Sequence, residues 1–86
     1  MTKIDFTKLE MFLNIEKTEK ETVDVRSSFA NMIYSRTNGI ECHSLAYKIY
    51  NSEGEEEFSD KECEIIRKVS EYALPKFIDA IKAVLS

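Results

Sequence analysis

The groups in this chain best suited to chemistry are the carboxylates gathered in Asn51–Glu62, N-S-E-G-E-E-E-F-S-D-K-E. Oxygen atoms from Asn51, Glu53, Glu55, Glu57 (through its backbone carbonyl) and Glu62 are the kind of donors that a hard cation such as calcium takes. The other reactive groups are Cys42, His43 and Cys63. A thiol beside an imidazole is the machinery of a cysteine nucleophile, and both side chains are zinc ligands. Adjacent residues on a helix point about 100° apart, so Cys42 and His43 cannot serve one another. A pair between His43 and Cys63 stays geometrically open. No two of the three stand at the short chelating separation of C-x-x-C, and Cys42 falls on an apolar face, where cysteine behaves as a small core residue. There is no Gly-rich phosphate loop, G-x-S-x-G elbow or H-E-x-x-H pair, and the whole chain holds two glycines. The reading is therefore of a non-enzymatic protein with no catalytic residue, metal or cofactor. Calcium on the acidic stretch is the alternative, and a small cysteine-dependent enzyme the third reading.

The elements that position these groups follow from periodicity. Ile4 and Phe6 alternate, and after an irregularity at Thr7–Lys8 so do Leu9, Met11, Leu13 and Ile15, the period of a half-buried strand. Phe6, Leu9, Phe12 and Leu13 would also share one face of a short helix, so strand and helix both stay open for 6–15, with the strand favoured. Polar Glu16–Glu21 suits a hairpin loop, and Thr22–Val25 a return strand with Val23 and Val25 facing inward. From Arg26 helices dominate. Asp24 or Ser27 is placed to cap a helix through Arg36 that buries Phe29, Met32 and Ile33, and Asn38-Gly39 stops it. A second helix over about Glu41–Asn51 buries Cys42, Leu45, Ala46 and Ile49. Ser59 with Glu62 forms a capping box opening a third, Phe58 stapling onto Cys63 and Ile65, Ile66, Val69 and Tyr72 turned inward. Pro75 suits the first turn of a fourth, with Leu74, Phe77, Ile78, Ile81, Val84 and Leu85 as its stripe; one helix kinked at Pro75 is the other arrangement. The sum is one α+β domain over 1–86: a β-hairpin in 1–25 packed on three or four helices in 26–86, with a short extended segment at Glu55–Phe58.

Composition limits the partners. At 86 residues the chain is one domain with a thin stability margin, and 43% hydrophobic with 33% charged residues is a globular balance. A net charge of -4 with scattered Lys and Arg disfavours nucleic acid and anionic membrane as partners. No apolar run spans a bilayer, and the charged M-T-K-I-D-F-T-K start is unlike a secretory signal. A cytoplasmic protein with reduced cysteines is expected. Asn31, Tyr34 and Arg36, with Tyr47 and Tyr50, have no evident core duty. Tyr and Arg are enriched at interfaces, so these five are the candidate contact surface for a protein partner. Partly buried tyrosine with its hydroxyl in water is the plainer reading. The apolar stripe of the last helix is a further place to seat a partner or a second copy.

The acidic stretch resembles the twelve-residue calcium loop of an EF-hand. On that template Asn51 takes the first ligand place, Glu53 the third, Glu55 the fifth, Glu57 the seventh, Ser59 the ninth and Glu62 the bidentate end. The sequence departs from it where Asn51 replaces the usual Asp and Glu56 occupies the turn-forming Gly place, at a cost on the order of 1 kcal/mol for a side chain at positive φ. EF-hands also come in pairs, and no second loop is present. Helix capping accounts for Ser59 and Glu62 without an ion. More broadly, V-D-V-R-S-S-F-A-N-M-I-Y, then L-A-Y-K-I-Y, then E-F-S-D-K-E, within about Lys3 to Ile81, resembles small uncharacterised proteins of bacterial prophages and mobile elements. That resemblance implies an accessory or interaction protein and carries over no catalytic residue.

Overall fold

The computed structural model describes residues 2–85 as an α+β domain of four short strands and four helices. The N-terminal alternation is strand, not helix, but it does not run through. β1 (Thr2–Asp5) and β2 (Leu9–Phe12) are separated by a turn in which the Asp5 carboxylate accepts the Thr7 N–H and hydroxyl. The break sends the two strands to different partners. β2 pairs antiparallel with β3 (Lys20–Val23), Leu9 opposite Val23, which is the expected hairpin with its loop shifted to 13–19. β1 instead pairs antiparallel with β4 (Glu55–Phe58), Thr2 opposite Phe58 and Asp5 opposite Glu55. The extended segment expected at Glu55–Phe58 is thus a true strand, recruited from the far half of the chain.

Val25 lies beyond β3 and is buried; its N–H donates to the Phe6 carbonyl at 3.0 Å, fastening the hairpin's exit to the β1–β2 turn. It is also the N-cap of α1 (Arg26–Arg36) and offers no side-chain cap. Asp24 acts one residue earlier: its carboxylate accepts the Arg26 N–H and clamps the Arg26 guanidinium, which holds the Asp24 pKa below the usual carboxylate range. α1 buries Phe29, Ala30 and Ile33, with Met32 half-buried. Gly39, at φ +96°, makes the turn into α2 (Ile40–Tyr50), a conformation that a side chain resists. Leu45, Ala46 and Ile49 are buried as expected, whereas Cys42 is only half-buried.

α3 (Asp60–Ser70) opens on the full capping box: Ser59 Oγ accepts the Glu62 N–H at 3.1 Å, and Glu62 Oε1 accepts the Ser59 N–H at 2.9 Å. Phe58 and Cys63 both enter the core. α3 and α4 (Pro75–Leu85) are separate helices, because the backbone leaves the α3 spiral through tight turns closed by the Tyr72 and Ala73 N–H groups. That change of phase corrects two expectations. Tyr72 and Leu74 do not face inward; each is 65% exposed.

The core runs through the phenyl rings. Phe6 is fully buried, stacked on Phe29 at 5.6 Å and edge-on to Phe58 at 5.5 Å, and Phe29 meets Phe77 at 5.1 Å. One residue thereby joins the strand region to α1 and β4. Phe6→Ala is expected to lower the unfolding free energy by about 3–5 kcal/mol, a large part of the margin of a domain this small. A urea melt measures it, and a cost below about 1 kcal/mol would show that the ring is not what joins the two halves.

Candidate functional site

α1 and α2 form a helical hairpin, and its outer face carries the tyrosines. Helical spacing puts Ser27, Asn31 and Tyr34 on one rim and His43, Tyr47 and Tyr50 on the other, just outside the buried positions. Between the rims lie Ala30 and Ala46, both buried and both small, so the floor is low and the larger side chains stand above it. The result is a groove of about 330 Å³. Among the described residues its lining side chains are all uncharged: hydroxyls, one amide, methyls and aromatic rings.

The rim aromatics are fixed against each other. His43 and Tyr47 lie 4.8 Å apart between ring centroids, Tyr34 meets Tyr47 edge-on at 6.3 Å, and Tyr34 is 6.2 Å from His43. Tyr34, Tyr47 and Tyr50 are nevertheless 60%, 49% and 54% exposed. Such rings offer apolar area and hydroxyl hydrogen bonds at small entropic cost, because a ring has few rotatable bonds and these already pack on neighbours.

The structure brings four of the five residues singled out above, Asn31, Tyr34, Tyr47 and Tyr50, to this one groove. Arg36 is not among its lining residues; its guanidinium sits over the Tyr72 ring at 5.3 Å. Sequence reasoning missed Ser27, Ala30 and Ala46 as lining and His43 as a rim aromatic. The i, i+3, i+4, i+7 series 27-30-31-34 and 43-46-47-50 held the signal.

The acidic stretch is built differently. Asn51 is the C-cap of α2, its N–H donating to Tyr47 O at 3.0 Å. Glu53, Glu55 and Glu57 are exposed, the last two within β4. Glu62 is occupied twice, by the cap and by Lys48, whose ammonium reaches Glu62 Oε1 at 3.1 Å and the Glu57 carbonyl at 2.6 Å and lies 4.5 Å from the Phe58 ring centre. Among the described residues no three His, Cys, Asp or Glu side chains gather as a metal site. Cys63 is buried, its thiol 3.9 Å from the Phe58 carbonyl, while His43 belongs to the exposed aromatic rim. No described helix is long and apolar enough to cross a membrane.

Compared with family models, curated proteins and solved structures, the chain matches none.

Burial pushes the Glu62 carboxyl up, but the Ser59 N–H and the Lys48 ammonium outweigh it and hold the pKa below the 4.5 usual for glutamate. A carboxylate depressed in the folded state stabilises fully above its unfolded value and loses that contribution as pH falls through its folded value. Melting temperature is therefore expected to drop as the solution is acidified from neutral through the carboxylate range, and to drop less steeply in Glu62→Gln. Thermal melts of the two proteins across that range check this, and parallel curves would remove Glu62 from the acid response.

Proposed function

We propose that this chain is a small non-enzymatic interaction protein that binds a protein partner through the tyrosine-lined groove between α1 and α2. The observation that carries this reading is the convergence of Tyr34, Tyr47 and Tyr50, all largely exposed, on one groove with an alanine floor. Exposed large apolar side chains are ordinary when scattered singly and informative when they share one concave patch. Tyrosine is among the residues that most often dominate binding energy at interfaces. The uncharged lining favours a partner segment that is apolar or neutral over a phosphate backbone or an anionic lipid surface, which would need cations at the site. The resemblance to small proteins of bacterial prophages and mobile elements agrees with an accessory role of this kind.

The test compares partners captured by the wild-type chain and by the Tyr34→Ala/Tyr47→Ala double variant in the native host. Tyr34 is 60% and Tyr47 49% exposed, so the fold should survive, with a stability change on the order of 1 kcal/mol from the lost ring pairing. A specific partner retained by the wild type is expected to fall at least about tenfold in affinity, the loss of a single strong interface side chain. Identical capture by both proteins, with matching melts, would remove the groove as the contact surface.

A further inference from the structure

A second surface shares no lining residue with the tyrosine groove. Met11, Val25, Phe29, Met32, Leu74 and Phe77 wall an apolar hollow of about 480 Å³ between β2, α1 and the start of α4. Tyr72 and Leu74 stand exposed along it. Lys76 lines the same hollow, and Arg36 lies over the Tyr72 ring.

Beside this hollow the chain holds out a knob. Ile15, in the β2–β3 loop, is 96% exposed. The loop that carries it is ordered by its own hydrogen bonds: the Asn14 side chain accepts the Thr18 N–H at 3.1 Å and donates to the Thr18 hydroxyl at 2.8 Å, and the Leu13 N–H donates to the Glu19 carbonyl at 2.8 Å. Lys17 completes the turn at φ +60°, a left-handed conformation that costs a non-glycine residue free energy. An ordered, strained loop that presents an isoleucine to water, with Phe12 and Leu13 also exposed beside it, gains nothing from that exposure within its own fold. Ile15, Phe12 and Leu13 line a smaller recess with Pro75 and Lys76, which also line the apolar hollow, so knob and hollow adjoin on one face.

We propose that this face joins two copies of the chain, each seating Ile15 in the hollow of the other. A knob and a hollow side by side on one chain fit a two-fold exchange, in which each copy gives and receives the same contact and the assembly closes on itself. Charge agrees with that pairing. Glu16 and Glu19 flank the knob, while Lys76 and Arg36 flank the hollow, so a second copy brings acid against base. Lys17 lies over its own Phe12 ring, and Asp79 stands beside Lys76 on the smaller recess. Among the described residues Lys76 pairs with Glu21 at 3.8 Å, a long exposed pair that contributes little and is free to be exchanged.

Sedimentation equilibrium over a concentration series tests this directly. The wild-type chain is expected to rise toward twice its 10.0 kDa with concentration. Ile15→Asp is expected to weaken association by about tenfold or more, with an unchanged melting temperature in dilute solution because the side chain is almost wholly in water. Glu16→Lys is expected to weaken association, and Lys76→Glu added to it to recover part of the loss. A wild-type chain that stays at 10.0 kDa throughout overturns the proposal. So does a dimer that Ile15→Asp leaves intact, which would assign self-association to another face.

Discussion

The burial of Phe6 between Phe29 and Phe58 is the interaction on which the remaining architecture leans. Each two-stranded sheet has four residues per strand, and a pair that short is marginal in water by its ladder alone. β1 and β2 hold their places because the turn between them drives one phenyl ring into the helical core. The Val25 N–H to Phe6 carbonyl bond then returns the chain from the hairpin to the start of α1 at the same point. Strand pairing, helix placement and chain direction thus meet at one residue. Its aromatic contacts extend through Phe29 to Phe77, so α4 is tied to the same cluster.

A second constraint concerns charge. Glu55, Glu56 and Glu57 run consecutively in a strand, where like charges repel and glutamate is a poor strand former. Lys48 offsets this from α2: its ammonium takes a β4 carbonyl, pairs with the Glu62 carboxylate and lies over the Phe58 ring. Phe58 is the buried end of the same strand, so one cation stabilises the acidic strand, the helix cap and the aromatic core beneath them. It also occupies backbone on a strand whose one partner among the described residues is β1, where an unpaired edge is otherwise open to other chains. The acidity of this connection is thereby accommodated structurally, with Glu62 as its most committed carboxylate.

What was legible in the sequence was what local physics decides. The Ser59–Glu62 box, Pro75 at a helix start, Gly39 at a turn and the stripe of α2 each depend on residues within a turn or two. The β1–β4 pairing was not legible, because nothing in T-K-I-D names a partner fifty or more residues away, and the irregularity at Thr7–Lys8 does not say that the strands on its two sides take different partners. Tyr72 and Leu74 were misplaced because periodicity was carried across a point where the backbone left the helix. The tyrosine groove was half legible. Its aromatics fall on a helical period, but whether a side chain leans toward a groove or toward a neighbouring ring is a tertiary matter, and Arg36 went to Tyr72.

The distribution of exposed apolar side chains gives the surface its organisation. Among the described residues the large ones are Phe12, Leu13, Ile15, Tyr34, Ile40, Tyr47, Tyr50, Tyr72 and Leu74. All but Ile40 belong to two hollows-and-rims, the tyrosine groove and the face around Pro75. α1 stands between them, giving Ser27, Ala30, Asn31 and Tyr34 to one and Ser28, Phe29 and Met32 to the other. α1 buries Phe29, Ala30 and Ile33, and the Asp24–Arg26 clamp and the Thr37 hydroxyl on the Ile33 carbonyl hold its ends. In so short a chain, two apolar surfaces come at the expense of core, and the ring cluster around Phe6 compensates by concentrating burial in a few large side chains.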